Sequence, residues 1–219
     1  MADDPALGAY PYYRDAPVFE RILARGRPLI CPFGPLTGWV PKGGSVLDIG
    51  CGCGLWLLTL GDLGLVSEGT GCDPNTRALA VARRAAQNLA AAKGPSGTRL
   101  EFATTASSRD WPAGPFDLVS LIDVIHHIPP SEQSAFIVSA YQRVKRGGRL
   151  IYKDMASAPA LHAMANRLHD LLLARQIIHY FPRGSAAALL TQSGGNVLHI
   201  EDWKRGPYAQ ELLVVSKPA

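Results

Sequence analysis

The sequence lacks any apolar run of the ~18 to 20 residues that a membrane-spanning helix requires. It also lacks internal repeats and low-complexity stretches. Its first residues, Met1-Ala2-Asp3-Asp4, are acidic, whereas a secretory signal peptide begins with a basic segment. We therefore expect a globular protein in the cytoplasm, without a membrane span.

Cysteine is scarce, with four in 219 residues, at positions 31, 51, 53 and 72. They show neither the CxxC pairs of a zinc site nor the spacing of a disulfide framework. We expect reduced cysteines and no metal site.

The chain carries no massed block of basic residues, although its net charge is +4. Scattered charge argues against a nucleic-acid partner. Arg21, Arg25 and Arg27 lie near Leu29 and Ile30 in a short basic stretch. Two interpretations stay open, namely peripheral contact with an acidic or lipid head group, and an ordinary solvated face.

Strand and helix patterns alternate along most of the chain. Apolar residues at helical spacing predict a helix opening at Leu55, a second over 79–89, and a third that Ser131 caps and Gly147-Gly148 ends. Serial βα units of this kind predict an α/β fold with a doubly wound, mostly parallel, seven-stranded sheet and helical lid elements. The predicted strands are Ser45 to Ile49, Thr70 to Cys72, Arg99 to Ala103, Phe116 to Ile122, Arg149 to Lys153, Val197 to Trp203 and Gln210 to Ser216.

The two ends of this alternation suggest a domain division. We assign residues 1–40 to an N-terminal arm or lid and residues 41–219 to the main domain, with a lid-helix insertion at about 156–195. We expect the arm, through Tyr12, Tyr13 and Phe19, and the helix from Leu161 to Tyr180 to roof an acceptor pocket together.

A glycine cluster, Gly50-Cys51-Gly52-Cys53-Gly54, follows the first predicted strand. Such glycines allow a sharp turn and close approach of a ligand, and the next helix offers unpaired N–H groups that favour an anionic ligand. A dinucleotide-binding fingerprint needs Gly or Ala at the sixth position, which is Leu55 counted from Gly50 and Leu57 counted from Gly52. A simple turn is the alternative.

With Asp48 before it, the cluster resembles the first motif of class I S-adenosylmethionine-dependent methyltransferases. Asp73, 25 residues after Asp48, matches the acid that binds the ribose hydroxyls in that family. Phe116-Asp117-Leu118-Val119 and Val144-Lys145-Arg146-Gly147-Gly148 resemble its fourth strand and the turn before its fifth.

The resemblance implies the Rossmann-like methyltransferase fold and S-adenosylmethionine as the cofactor. Where family members carry Gly-Asp-Ala after the third strand, this chain has Thr104-Thr105-Ala106, so its adenine contact departs from the pattern. The cofactor-binding residues that it implies are Asp48, Gly50, Cys51, Gly52, Gly54, Asp73, Pro74, Thr105, Ala106, Ile122 and Asp123.

We expect catalytic residues among His126, His127 and Asp154, which follow the fourth and fifth predicted strands. His127 is preferred as general base because it lies nearer the Pro129-Pro130 turn, where the loop should bend back across the pocket. The alternative to a catalytic role is structural. One histidine would then be packed and the other solvated, and Lys153-Asp154 would be a solvated pair.

The expected activity is O-methylation of a hydroxyl or carboxyl group on a small molecule. Amino methylation of nucleic acids is not expected, because Ile122-Asp123-Val124-Ile125 stands where such enzymes carry Asn/Asp-Pro-Pro-aromatic. A nicotinamide-dependent oxidoreductase and a non-catalytic partner subunit with this fold remain alternatives.

Overall fold

The computed structural model describes residues 4–94, 97–155, 179–205 and 208–219, and only the backbone at 203–205 and 208–209. Its α-helices are α1 (Ala6–Ala9), α2 (Val18–Ile30), α3 (Gly34–Thr37), α4 (Leu55–Asp62), α5 (Thr76–Lys93), α6 (Pro130–Gln142) and α7 (Ser185–Gln192). Single 3₁₀ turns span Tyr10–Tyr13 and Ile125–His127. The strands are β1 (Gly44–Ile49), β2 (Val66–Asp73), β3 (Arg99–Thr104), β4 (Phe116–Ile122), β5 (Val144–Met155), β6 (Asn196–Arg205) and β7 (Tyr208–Ser216).

The strands form one seven-stranded sheet in the order β3-β2-β1-β4-β5-β7-β6. β2 pairs in parallel with β1 and with β3, whereas β7 pairs antiparallel with β5 and with β6. The predicted α/β class and mostly parallel sheet are therefore confirmed. Across the described residues, no helix has the length and apolar character to traverse a bilayer.

The chain divides into two compact units, Met1–Leu118 and Val119–Ala219. The N-terminal unit buries Leu47 of β1 and Leu57 of α4 completely. The C-terminal unit does the same with Ile151 of β5 and Val214 of β7, which lie opposite each other in the antiparallel pair. Runs of apolar residues at these strands explain why both units form a core.

β2 begins at Val66, four residues before the predicted start at Thr70. The prediction was too short because Gly69 and Gly71 weaken the strand pattern. Both glycines are required by packing. A Cβ at Gly69 would lie 2.9 Å from Leu100, and one at Gly71 would lie 2.7 Å from Phe102. These glycines leave room for neighbouring side chains against the sheet.

The helix predicted to start at a Ser131 cap and to end at Gly147-Gly148 has different bounds at both ends in the structure. α6 begins after Pro129 without a side-chain cap from Ser131, and it ends at Gln142. Val144 opens β5, because the chain terminus pairs there through Lys217 N–H to Gly148 O at 3.0 Å and Gly147 N–H to Lys217 O at 2.8 Å. Lys217 Nζ also donates to Gln142 O and Val144 O, which satisfies carbonyls at the helix end.

Within residues 4–40, the structure contains α1, α2, α3 and a 3₁₀ turn. Residues 156–178 lie outside the described residues, so most of the predicted helix from Leu161 to Tyr180 is not tested. Within the predicted insertion at about 156–195, the structure describes α7. The division into an arm, a main domain and an insertion stays a prediction.

Candidate functional site

The glycine turn connects β1 to α4 in the N-terminal unit. Gly50, Gly52 and Gly54 have φ values of 75°, 53° and 78°, which side-chain-bearing residues rarely adopt. A Cβ at Gly54 would lie 2.8 Å from the Phe102 ring, whereas Gly52 has no neighbouring atom within 4 Å of a Cβ position. Gly54 therefore serves packing, and Gly52 leaves an open face where a ligand can approach the main chain.

Asp73, at the end of β2, binds the glycine turn directly. Its Oδ2 accepts the Gly52 N–H at 2.8 Å, and its Oδ1 accepts the Asn75 N–H at 2.7 Å. The N–H groups of Gly50 and Cys51 donate to Cys72 O. These three amides are therefore bonded within the protein, whereas the expectation of unpaired N–H groups concerns the start of α4 at Leu55 and stays a prediction.

The turn is surrounded by negative charge instead. Burial, reinforced by the carboxylates of Asp48 and Asp73, raises the pKa of the Cys51 thiol far above its ordinary value. Burial and the charges of Glu20 and Asp73 raise the pKa of Cys53 to about 11. Both thiols are therefore neutral at physiological pH, and the site suits a ligand that carries positive charge.

The N-terminal arm holds the same turn. Tyr13 is 1% exposed, and its hydroxyl donates to Cys53 O at 2.8 Å. The Tyr12 hydroxyl donates to Asp62 Oδ1 at 2.6 Å at the end of α4. Both tyrosines were predicted to roof an acceptor pocket, and their contacts with this helix and turn were not predicted.

The remaining predicted cofactor residues of this unit follow β2 and β3. Pro74 lies between Asp73 and Asn75, whose side chain caps α5. Thr105 is buried, and its N–H donates to Asp73 O at 3.3 Å, while Ala106 is exposed. The structure thus brings Asp73, Thr105 and the glycine turn together within the unit.

Two buried side-chain pairs follow the strands of the C-terminal unit. Asp123, directly after Ile122 at the end of β4, has a φ of 54°. Its Oδ1 lies 2.5 Å from Lys153 Nζ, and the two side chains are 4% and 0% exposed. The Asp123 N–H also donates to Lys153 O at 2.8 Å. This pair holds Asp123 in a conformation that is uncommon for a residue other than glycine.

The second pair joins His126 to Asp154. His126 Nδ1 lies 2.5 Å from Asp154 Oδ1, and both side chains are 3% exposed. Asp154 also accepts the N–H groups of Ile125 at 2.7 Å and Met155 at 2.6 Å. Its carboxylate is therefore fixed, and in a neutral His126 it favours the tautomer with hydrogen on Nδ1 and the lone pair on Nε2.

His127, the preferred base of the sequence analysis, is exposed. Its ring centroid lies 4.1 Å from that of His126. Asp154 distinguishes His126 from His127 as a candidate base, because its carboxylate bonds to His126.

Sequence reasoning missed Gln133 of α6, which is 2% exposed. Its Nε2 lies within 3.2 Å of three carbonyl oxygens, those of Ile125, Ile128 and His179. The His179 N–H in turn donates to His126 O at 2.9 Å. Gln133 thereby fixes the loop that carries the histidines. The only sequence signal for this role is an amide residue on the inward-facing side of the α6 pattern.

Burial and nearby carboxylates raise the pKa values of two further groups of this unit, Tyr152 and Glu211. Burial, with the charges of Asp154, Glu211 and Asp123, raises the pKa of the Tyr152 hydroxyl well above its ordinary value. Burial raises the pKa of Glu211, against the lowering effect of the Gly184 N–H and Arg183. Tyr152 is therefore neutral at physiological pH, so it cannot act as a base there.

The sequence matches a known family model over most of its length. Residues 23–200 match the sequence model of a family described as a methyltransferase domain. Ubiquinone biosynthesis O-methyltransferase of Albidiferax ferrireducens is 27% identical over 143 residues, covering 65% of this chain and 52% of that protein. The protein of the same name from Pseudomonas entomophila is 27% identical over 146 residues, covering 65% and 56%. The chain thus spans about half the length of these relatives.

Solved structures resemble the chain over most of its length. The magnesium protoporphyrin IX methyltransferase of Synechocystis, determined with bound S-adenosylhomocysteine, has a TM-score of 0.69 at 20% identity and covers 94% of this chain and 91% of its own. An S-adenosylmethionine-dependent methyltransferase of Methanosarcina mazei has a TM-score of 0.65 at 20% identity, covering 84% and 97%.

Proposed function

We propose that this chain, which belongs to the methyltransferase-domain family, transfers a methyl group from S-adenosylmethionine to a hydroxyl oxygen of a small molecule. Family membership rests on the match over residues 23–200. The hydroxyl acceptor rests on one observation, the buried bond of 2.5 Å between His126 and Asp154. The names of the curated relatives, at 27% identity, support an oxygen acceptor.

The residues of the glycine turn fit the donor. Gly52 leaves open space beside the main chain. Each carboxylate oxygen of Asp73 accepts only one N–H bond, so lone pairs remain to accept hydrogen bonds from two ribose hydroxyls. The negative charges of Asp48 and Asp73 favour a cationic ligand. When bound, S-adenosylmethionine supplies a methyl group on a positively charged sulfur, which departs as a neutral thioether.

On the acceptor side, His126 receives the proton that the hydroxyl loses. The acceptor oxygen forms its bond to the methyl carbon as its proton moves to His126 Nε2. Asp154, bonded to Nδ1, stabilises the positive charge that then develops on the ring. The histidine loop follows the carboxyl end of β4, and α/β sheets bind ligands at such ends.

Calorimetry tests the donor assignment, with S-adenosylmethionine, S-adenosylhomocysteine and NADH as ligands. We expect the first two to bind and NADH not to bind, since the sixth position of the turn lacks Gly or Ala. Binding of NADH alone would overturn the proposal.

The acceptor class is tested by transfer of a radiolabelled methyl group to matched phenols, aliphatic alcohols, carboxylic acids and amines. We expect label on a phenol or an alcohol, with loss of turnover in His126→Gln and retained donor binding. Label on carboxylic acids alone, with His126→Gln fully active, would show that no base is needed and that the hydroxyl assignment is wrong.

A further inference from the structure

Helix α2 directs its apolar side chains away from the protein. Among the described residues it contributes five of the nine large hydrophobic side chains that are exposed. Ala24 and Pro28, by contrast, are buried. The five are Val18 at 69%, Phe19 at 58%, Ile22 at 63%, Leu23 at 45% and Leu29 at 58% exposure.

These side chains form one continuous face. Successive helical residues turn by ~100°, so Val18, Leu29, Ile22, Phe19 and Leu23 fall within an arc of roughly 140°. Ala24 and Pro28 lie on the opposite side of the helix. The helix is thus attached to the protein by its narrow side and presents its wide apolar side outward, the reverse of an ordinary surface helix.

Positive charge flanks this apolar face on both sides. At ~100° per residue, the exposed Arg25 lies beside Val18, the half-buried Arg21 lies between Arg25 and Pro28, and the half-buried Arg27 lies beside Leu23. The only acid of the helix, Glu20, points inward, with a buried Oε2 that has no hydrogen-bond partner. The Arg25 guanidinium lies 5.7 Å from the Tyr10 ring centroid.

We propose that α2 is a docking helix that lies flat on the surface of an anionic lipid bilayer. An apolar arc with arginines at its edges is the arrangement by which interfacial helices insert their apolar side and pair their cations with lipid phosphates. A second copy of the chain fits less well. Face-to-face pairing of two such helices would bring their arginine rows together, and one helix of 13 residues offers little of the area that a stable dimer needs.

Co-sedimentation of the full chain with vesicles tests this proposal. We expect binding to phosphatidylcholine vesicles that contain about one third phosphatidylglycerol, and little binding to phosphatidylcholine alone. The bound fraction should fall as salt rises from about 0.05 to 0.5 M, because screening weakens attraction to the anionic surface.

Two double variants separate the apolar and the charged contributions. Ile22→Ser/Leu29→Ser should weaken vesicle binding at least about tenfold by removing two inserted side chains. Arg21→Gln/Arg25→Gln should weaken it by about fivefold for each arginine. The matched control is Leu198→Ser/Ile200→Ser on β6, where the same residue types are 44% and 52% exposed. This control should bind vesicles like the wild type.

Three results would overturn the proposal. These are absence of binding to anionic vesicles, equal loss of binding in the β6 control, and a wild-type dimer that Ile22→Ser/Leu29→Ser converts to a monomer without any vesicle binding. Melting temperature and affinity for S-adenosylhomocysteine, measured on each variant, show that a loss of binding does not come from unfolding.

Discussion

The two units of the chain build their candidate sites by different means. In the N-terminal unit, three glycines with positive φ shape the turn, and one carboxylate, Asp73, is bonded to main-chain N–H groups. In the C-terminal unit, side chains pair with side chains, Asp123 with Lys153 and His126 with Asp154. The first site is shaped by its backbone, and the second by buried side-chain pairs.

This difference has an energetic consequence. A turn built from main-chain bonds tolerates the loss of one side chain, because its conformation is set by several residues. A buried charge that loses its partner retains its full cost of desolvation. We therefore expect substitutions in the C-terminal unit to have larger effects than equivalent ones in the N-terminal unit.

The largest effect is expected from Lys153→Met, which leaves the Asp123 carboxylate buried without its cation. The free energy of unfolding should fall by about 3 to 5 kcal/mol. The matched control is Lys93→Met, because Lys93 pairs with Asp62 at 2.9 Å while its side chain is 39% exposed. That change should cost about 0 to 1 kcal/mol. Urea unfolding measures the free energy of unfolding of both variants. Equal losses of stability would contradict the expected difference between the two units.

His126→Ala is expected to lower kcat by about 10²-fold or more, since general-base catalysis typically contributes at least that factor. Asp154→Asn should lower kcat in the same direction, because it removes the charge that faces Nδ1. His127→Ala is the control, with an expected change in kcat of less than about threefold. A damaged His127→Ala beside an active His126→Ala would instead favour His127, the base preferred from the sequence.

In the N-terminal unit, Asp73→Ala should weaken donor binding by about 1.5 to 3 kcal/mol, the range for hydrogen bonds to a charged group. Calorimetry with S-adenosylhomocysteine measures the change. Asp110→Ala is the control, because Asp110 also accepts two local hydrogen bonds, from the N–H and Oγ of Ser107 at 3.0 Å, outside the glycine turn. Unchanged affinity in Asp73→Ala would exclude the ribose assignment.

The same contrast explains what the sequence could predict. β4, at Phe116–Ile122, was predicted with the bounds that the structure has, and the glycine turn was placed between β1 and α4. Both features arise from local chemistry, a run of apolar residues and a conformation that glycine alone adopts readily. Such signals lie within a few residues of one another.

Features that depend on distant residues were missed. The start of β5 at Val144 depends on Lys217, 73 residues away along the chain. The distinction between His126 and His127 depends on Asp154, 28 residues beyond His126. No spacing rule connects such residues, so the sequence suggested a histidine base without showing which neighbour has the carboxylate.

The smallest effect concerns Glu211, a buried carboxylate of the C-terminal unit. Burial raises its pKa above the ordinary 4.5, so the folded state favours the protonated form more than the unfolded state does. This group therefore opposes folding above its folded-state pKa, and the opposition disappears as pH falls toward about 4.5. Glu211→Gln can keep the bond from Gly184 N–H to Oε1, so it should raise the melting temperature slightly at pH 7, with a gain that shrinks toward pH 5. Glu201→Gln, at an exposed site, should show no such gain. A lower melting temperature for Glu211→Gln at pH 7 would mean that the attraction of Arg183 and the Gly184 N–H outweighs the cost of burial.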